Sequence, residues 1–455
     1  MTAFEGGLLG QRALTIRSRV IWTALLLLLF RALAHVPVLK VNEEQLNHLL
    51  ANNPLVGIVN LFAGGEVLTH FSLVAAGILP YLVALALVEW GAWVVPSLRE
   101  LRLGGEQGEK RLELLSKLLS IPLAFLFAWL LSQYLAQQTG LFPGHIHWFT
   151  AASFLPSLWI VCLVTLGSLI STYISSRITK KGIGSGEDII LLAGASLGLL
   201  TRLVHVTYNS PEAKVGIERL GALAAFSLVV VLLSIYLLKG MRRVPLEYVR
   251  RPILSRRIPL PEDARPHLPL LINYGRTRPI TAAIGWLVLL QLGLVFLHAH
   301  LGEGAGHIMG ALSFWTAPGA GSYWLLLACL IVLFTYIYNF QLIWQPFRDS
   351  EMSLADSLIK GPNPAFIPGI RPGKATQKYL MRAVWWNTIP GAFGLAFLAA
   401  GLPYAILRLT NQNLLVAVLS LMVIVERADG VADSVRAYRI RYEGFRPTSR
   451  IRKHG

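Results

Sequence analysis

The sequence has 455 residues, of which 54% are hydrophobic and only 14% are charged. About a quarter of the residues are charged in a typical soluble domain, so this composition excludes a soluble globular protein and indicates a polytopic membrane protein. The formal net charge of +17 would suggest nucleic-acid binding in a soluble chain. In a membrane protein the same charge is expected to orient the spans, and we expect no sequence-specific binding of nucleic acid.

Apolar runs predict ten transmembrane helices, because a spanning helix needs roughly 20 apolar residues. The predicted spans cover about residues 20–39, 69–90, 115–137, 150–175, 188–206, 217–238, 278–299, 321–344, 381–404 and 413–428. Since the number of spans is even, both chain termini are expected on the same side of the membrane.

Lysine and arginine are concentrated at the two termini and in the loops that follow the even-numbered spans. The loops at 138–149 and 300–320, on the opposite side, contain neither residue. Positive charge is enriched on the cytoplasmic side of membrane proteins. We therefore expect both termini to be cytoplasmic.

The spans divide into two groups of five near residue 210. Residues 1–210 contain spans 1–5 and residues 211–455 contain spans 6–10, so the two halves would have opposite orientation, as in inverted-repeat membrane proteins. The C-terminal half includes long cytoplasmic loops at about 239–277 and 345–380 and a basic tail. These loops are rich in proline and arginine, which favours a protruding surface that binds partners.

The segment from residue 57 to about 93 combines a polar, glycine-containing piece with the second span. Residues 60–69 lead into the span without a normal loop, and we interpret them as irregular backbone. Irregular backbone at membrane depth is tolerated only inside protein or against a water-filled cavity, because lipid offers no hydrogen-bond partners. The segment is therefore predicted to lie in a pore.

Several ionisable residues fall inside or at the ends of spans, where they are functional candidates by default. Arg31 lies in span 1. The sequence leaves open whether its side chain pairs with a group inside the protein or extends to the membrane surface. Glu89, at the end of span 2, is expected to reach the membrane surface. Glu426, Arg427 and Asp429 give the end of span 10 more charge than expected.

Chemistry-bearing motifs are scarce. Cys162 and Cys329 both lie in apolar runs, so we interpret them as packing residues rather than as a disulfide or metal ligands. The sequence contains no HExxH and no P-loop pattern. It predicts no catalytic residues, no metal site and no cofactor, and therefore a protein that is not an enzyme.

Four segments resemble the SecY family of protein-translocation channels, in the order found in that family. They are NLFAGG followed by GILPYL, SLRELRLGGEQGEKR, ITKKGIGSGEDIILLAG and FIPGIRPGKATQKYL. The resemblance implies an all-α membrane channel with ten transmembrane helices in two pseudo-symmetric inverted halves, which open sideways to lipid between spans 2 and 7. It also implies the central pore-forming subunit of the Sec translocase, which passes unfolded polypeptides across and sideways into the bacterial cytoplasmic membrane.

The resemblance assigns a plug to about residues 57–69 and an apolar ring to the pore. The plug includes Asn60, Leu61, Phe62, Ala63, Gly64 and Gly65, and its two glycines would supply the loose backbone that displacement requires. The ring includes Ile78 and Leu82 from span 2 and Leu191 from span 5, and such a ring can seal a pore by dewetting.

Two further ring positions carry polar residues in this sequence, Glu187 and Thr281. A carboxylate at the narrowest point of the channel would oppose dewetting. We hypothesise that Glu187 lies one turn toward the cytoplasm and forms an ion pair with Arg278 at the gate.

The family resemblance also implies partners. Small membrane subunits like SecE and SecG would surround the chain, and a ribosome or the SecA motor would dock on its cytoplasmic face and deliver preprotein substrates. Arg242, Arg243 and Arg371 are the predicted docking residues, because arginine can bind phosphate or carboxylate through two hydrogen bonds.

One alternative from the same pattern is a secondary transporter of a small solute with inverted-repeat architecture. It would use Glu187, Arg278 and Arg31 as ligands near the membrane midplane, and it predicts saturable uptake without any role for the cytoplasmic arginines.

Overall fold

The computed structural model describes residues 16–38, 41–42, 45–46, 54–65, 71–136, 154–208, 213–248, 267–301, 321–344, 365–410 and 415–443. Within these residues the chain is mainly α-helical, with two small sheets. The all-α class predicted from the sequence is confirmed.

The helices fall into two groups along the chain. The first group is α1 (Ile16–Ala34), α2 (Pro54–Ala63), α3 (Leu79–Val94), α4 (Pro96–Leu103), α5 (Gly105–Ala136), α6 (Phe154–Lys181) and α7 (Gly186–Tyr208). The second group is α8 (Ala213–Lys239), α9 (Arg278–Leu301), α10 (Gly321–Trp344), α11 (Lys374–Ala396), α12 (Leu402–Thr410) and α13 (Leu415–Glu443). A π-helical turn, Phe397–Gly401, makes α11 and α12 continuous.

A helix overlaps each predicted span. Among the described residues, four segments are long and apolar enough to cross a membrane by length and composition: Gln107–Leu135, Ser157–Lys181, Gly321–Phe340 and Lys374–Arg408. Two shorter apolar helical segments are Leu79–Ala92 and Ala224–Lys239. The count of ten spans stays a prediction, which this helix order fits.

The sequence prediction is wrong at the start of the second span. Residues 71–78 form turns, and α3 begins only at Leu79. The preceding turns are held by hydrogen bonds from Val38 N to the Phe71 carbonyl and from Leu73 N to the Val36 carbonyl. Pro80 then stands in the first turn of α3, where its missing N–H leaves no hydrogen bond unmade.

The interpretation of residues 60–69 as irregular is also wrong for the part that the structure describes. Residues 54–63 form α2, and only Gly64 and Gly65 follow in non-helical conformation before residues 66–70, which lie outside the described residues. The sequence PLVGIVNLFA is strongly apolar, and its burial among other helices stabilises a helix that would be too short to persist alone.

A continuous apolar core extends through both helix groups. The two groups meet along two lines: α13 packs on α7, while α9 packs on α3 and α5. The short helix α2 lies between these lines and contacts α7, α9 and α13. This arrangement places α2 in the interior of the molecule.

A smaller apolar cluster lies under two antiparallel strand pairs on the side that we predict to be cytoplasmic. Strand β1 (Met241–Pro245) pairs with β3 (His267–Leu271), and β2 (Glu247–Tyr248) pairs with β4 (Ala365–Phe366). The second pair joins the two predicted cytoplasmic loops to each other, although residues 249–266 and 345–364 of these loops lie outside the described part.

The two cysteines have free thiols, but their side chains are exposed on the outer faces of α6 and α10. The interpretation as packing residues is therefore wrong. In a membrane protein such positions suit contact with lipid, and an apolar run cannot distinguish lipid contact from packing within the protein.

Candidate functional site

The predicted plug residues lie at the buried end of α2. Leu61, Phe62 and Ala63 are each at most 3% exposed, and Asn60 is half-buried. The amide of Gly65 donates to the carbonyl of Asn60 at 2.8 Å, which closes the end of the helix. The described part of the predicted plug, residues 57–65, thus forms the end of α2 and the turn that closes it, and it lies between the two helix groups.

Close backbone contacts fix the end of α2, and they require glycine. A Cβ atom on Gly65 would lie 2.4 Å from the carbonyl oxygen of Gly194 on α7, and one on Gly77 would lie 1.8 Å from the carbonyl oxygen of Ala63. Gly64 and Gly65 also have positive φ values of 124° and 69°. From the sequence, Gly64 and Gly65 were expected to make the backbone flexible. In the structure they instead allow the backbone after α2 to pack tightly against α7.

The predicted ring residues lie in the same apolar core as Phe62. Ile78 and Leu191 are 0% and 1% exposed, and Leu82 is partly buried against them. The amide of Leu82 donates to the carbonyl of Ile78 at 3.1 Å, which places the two residues one helical turn apart as the sequence predicts. We call Phe62, Ile78, Leu82 and Leu191 the waist.

Sequence reasoning did not name the residues that the second helix group contributes to this core. They include Ile280 and Ile284 on α9 and Leu419, Met422 and Val423 on α13. The spacing of these apolar residues on their helices was a signal, but it does not show which face of a transmembrane helix is turned inward.

A cavity of about 100 Å³ lies between α3 and α9, next to the waist. It is almost entirely apolar, and its lining includes Phe62, Leu82, Val83, Thr281, Gly285 and Trp286. The hydroxyl of Thr281 donates to the carbonyl of Arg278 at 2.8 Å, so this polar side chain is satisfied within its own helix. Thr281 therefore faces the apolar cavity without needing water.

Aromatic rings join α3 and α9 at the cavity, whose lining includes Trp90 and Trp286. Trp90 stacks on Trp286 with ring centroids 6.4 Å apart and on Phe334 with centroids 4.8 Å apart. Contacts between aromatic rings add to the burial of their area. The α3–α9 contact is thus made by side-chain packing, in contrast to the backbone contacts around α2.

Charged side chains gather in the C-terminal half of α3, in the middle of α13 and at the starts of α7 and α9. We call Glu89, Glu187, Asp188, Arg278, Glu426 and Arg427 the charged belt. Arg278 Nη1 lies 3.0 Å from Glu89 Oε1, which joins α9 to α3. Arg427 forms an ion pair with Asp188, which joins α13 to α7.

A third contact in the belt joins a charged side chain to an uncharged residue, Thr277. The carboxylate of Glu426, which is only 4% exposed, accepts hydrogen bonds from the amide of Thr277 at 3.2 Å and from its hydroxyl. A buried carboxylate is costly unless its oxygens are hydrogen-bonded, and these two donors meet that need. They also fix the start of α9 against α13.

The structure gives Arg278 a different partner from the one hypothesised. Its guanidinium contacts Glu89, and no ion pair with Glu187 is present among the described residues. Glu187 stands in the first turn of α7, where the helix dipole favours a negative charge, and Arg427 and Arg278 are near enough to attract it. Glu89 was expected only to reach the membrane surface, but it pairs with Arg278 across the contact between α3 and α9.

Asp429 accounts for the remaining charge at the end of span 10. It lies 2.9 Å from the Lys239 Nζ and 3.5 Å from an Arg276 nitrogen, so it joins α13 to α8 and to the segment before α9. These charges looked excessive in the sequence because their partners are far away along the chain.

The predicted docking arginines lie apart from the waist. Arg242 and Arg243 are on strand β1, and Arg371 follows strand β4; all three side chains are exposed. The β2–β4 pair joins the segments that carry them, so both segments belong to the same surface, which we predict to be cytoplasmic. The part of the chain that the structure describes contains no cluster of three His, Cys, Asp or Glu residues that could hold a metal ion.

Comparison with known proteins decides the family. The model of the SecY family matches residues 72–429, well over half of the chain. The chain belongs to the SecY family. The resemblance drawn from the four sequence segments is therefore confirmed, and with it the prediction of a protein-translocation channel.

Similar members of the SecY family are translocase subunits of bacteria. The protein translocase subunit SecY of Thermus thermophilus is 30% identical over 451 residues, covering 96% of each chain. That of Halalkalibacterium halodurans is 29% identical over 444 residues, covering 94% of this chain and 96% of the relative.

Solved structures support the SecY fold. A structure described as a protein conducting channel matches with a TM-score of 0.61 at 18% identity, covering 96% of this chain and 95% of that one. The idle yeast Ssh1 complex bound to the 80S ribosome matches with a TM-score of 0.57 at 13% identity, covering 94% and 91%.

The ion pair between Arg278 and Glu89 is open to a direct test. We expect Glu89→Gln to weaken the α3–α9 contact and to raise the ion conductance of the idle channel in planar bilayers about two- to fivefold, because a partly exposed ion pair contributes only a modest free energy. The exchanged double variant Glu89→Arg/Arg278→Glu should restore low conductance.

Asp433→Asn is the matched control, because Asp433 pairs with Arg436 on the surface of α13 without joining two helices. Equal conductance in Glu89→Gln and Asp433→Asn channels would contradict a role for the Glu89–Arg278 pair in closure.

Proposed function

We propose that this chain is the pore-forming subunit of a bacterial Sec translocase and that its waist is the seal of the idle channel. The single observation that carries the proposal is the burial of α2 between the two helix groups, directly against the predicted ring residues. A channel for unfolded chains must open widely and yet exclude ions when idle. A narrow apolar constriction backed by a removable segment meets both needs.

In this proposal residues 57–69 are the plug, and Ile78, Leu82 and Leu191 are the ring on the side of the first helix group. Ile280, Ile284, Leu419 and Met422 are candidates for the opposite side, because they share the apolar core. Glu187 and the rest of the charged belt lie on the cytoplasmic side of the seal. The seal itself then stays apolar although the belt carries full charges.

The proposed opening movement separates α3 from α9. The apolar cavity, the tryptophan stack and the Glu89–Arg278 pair all lie along this line. The opposite line, where α13 packs on α7, keeps the Asp188–Arg427 pair and acts as the hinge between residues 1–210 and 211–455. When α3 and α9 separate, an apolar segment of a substrate can take the place of their contacting side chains. It can then leave sideways into the lipid.

The charge distribution supports the proposed orientation in the membrane. The proposal places the chain in the bacterial cytoplasmic membrane with both termini cytoplasmic, since basic residues are concentrated in those segments. Large apolar side chains are exposed on the outer faces of α1, α6 and α8, including Leu28 at 69%, Trp159 at 67% and Leu232 at 58%. These faces suit lipid and small membrane subunits like SecE and SecG.

The exposed arginines of the cytoplasmic surface are the proposed docking site for a ribosome or a SecA motor. Solved complexes of two structural relatives, canine Sec61 and yeast Ssh1, contain a ribosome. Arg242, Arg243 and Arg371 present guanidinium groups that bind phosphate or carboxylate through paired hydrogen bonds.

The alternative of a secondary transporter has weaker support. It needs Glu187, Arg278 and Arg31 to converge on one solute, but Arg278 contacts Glu89 and Arg31 contacts backbone carbonyl groups. Proton-coupled uptake of a small solute, without any crosslinking to a preprotein, would favour this alternative.

A photocrosslinker at Leu191 tests the channel directly. We expect it to crosslink to a preprotein arrested during translocation, because Leu191 is proposed to line the path. Leu166 on α6, which is 51% exposed on the outer face, is the control position and should give no such product. Crosslinking from Leu166 and not from Leu191 would contradict the proposed path.

Arg371→Glu tests the docking surface. We expect copurification with ribosomes or with SecA to fall about tenfold or more, since the substitution replaces attraction by repulsion. Arg408→Glu is the control, because Arg408 is an exposed arginine on the predicted outer side. If binding by the Arg371→Glu channel equals that of the parent, Arg371 is not a docking residue.

A further inference from the structure

Arg31 is a charged residue in the last turn of α1, and its guanidinium group points into the protein. Nη1 donates to the carbonyl oxygen of Gly65 at 2.9 Å, and Nη2 donates to that of Ala193 at 3.5 Å. Gly65 is a residue of the predicted plug just beyond the end of α2, while Ala193 belongs to α7. One side chain of α1 therefore joins the plug to the helix against which it is seated.

The residue before Arg31 contacts the same part of the plug. Phe30 is 1% exposed, and a Cβ atom on Gly64 would lie 2.7 Å from the Cζ atom of its ring. Phe30 thus covers Gly64 from one side, while Gly194 of α7 contacts Gly64 and Gly65 from the other. The end of the plug is held between α1 and α7.

The geometry suits an arginine in particular. Its planar guanidinium group can donate to two carbonyl groups on different elements, whereas a lysine ammonium lacks this fork. The carbonyl of Gly65 lies beyond the end of α2, so no hydrogen bond within that helix uses it. A charged donor in a span is costly unless it is used, and here two backbone acceptors use it.

We propose that Arg31 is a positioning residue that retains the plug in its seat. This inference rests on the proposed function, because it assumes that α2 leaves the waist when the channel opens. Departure of the plug breaks the hydrogen bond to Gly65 and leaves the contact with α7 in place. Arg31 thereby favours the closed state of the idle channel without contacting the substrate.

The test measures how readily the plug becomes accessible. Leu61 is replaced by Cys in the translocase complex, with Cys162 and Cys329 replaced by Ser, and the rate of modification by a membrane-impermeant maleimide is followed in proteoliposomes. We expect Arg31→Gln to raise this rate about tenfold, because a hydrogen bond from a charged donor is lost. Arg31→Lys, which keeps the charge but lacks the planar fork of the guanidinium group, should give an intermediate rate.

Arg19→Gln is the matched control. Arg19 lies on the same helix and donates to the carbonyl oxygen of Gly182 at 3.0 Å, away from the plug. Its substitution should leave the modification rate unchanged. A rate in Arg31→Gln no higher than in Arg19→Gln would overturn the inference, and Arg31→Lys gives the same decision if the glutamine variant does not accumulate in the membrane.

One further measurement distinguishes a failure of this inference from a failure of the proposed function. An arrested preprotein should accelerate modification of Cys at position 61 in the parent channel. If it does so while Arg31→Gln has no effect, only the role of Arg31 is wrong. If the preprotein has no effect either, α2 is not a movable plug and the proposed seal fails.

Discussion

The closed waist depends on backbone packed against backbone. Gly65 contacts Gly194 and Gly77 contacts Ala63 at distances that leave no room for a Cβ atom. Such contacts let α2 approach its neighbours more closely than side chains would allow, as small residues do between helices in membranes. At these points they also join the surfaces without interlocking side chains, which suits the proposed role of α2 as a removable plug.

The charged belt is compatible with the proposed apolar seal because the proposal places the two at different levels of the pore. The C-terminal half of α3, the middle of α13 and the starts of α7 and α9 carry the charges, while Ile78 and Leu191 stay buried in the core. Ion pairs that water can reach contribute little free energy individually. In the proposed opening movement the Glu89–Arg278 pair can therefore part at small energetic cost, while the apolar contacts supply most of the free energy of closure.

Much of the fold could be predicted from the sequence, because apolar runs report membrane helices directly. The start of α3 could not, since the turns before it depend on hydrogen bonds with the chain after α1. Helix α2 was missed because the glycines that follow it dominated the interpretation, although its own ten residues are apolar.

From the sequence, the residues of the candidate site could be predicted only for the first helix group. Ile78, Leu82 and Leu191 came from segments that resemble the SecY family, and the structure places them in one core with Phe62. The partner of Arg278 is Glu89, 189 residues away, and Asp188 and Arg427 are 239 residues apart. Ion pairs of this kind depend on which helices contact each other in the folded protein. No local pattern in the sequence contains that information.

The most direct test of the account is a reversible lock between α3 and α9. A Cβ atom on Gly285 would lie 3.4 Å from Val83 Cγ2, so cysteines at these two positions should form a disulfide across the contact. The account predicts that the oxidised Val83→Cys/Gly285→Cys channel stops translocating preproteins and that reduction restores transport. Undiminished transport through the fully oxidised channel would contradict it.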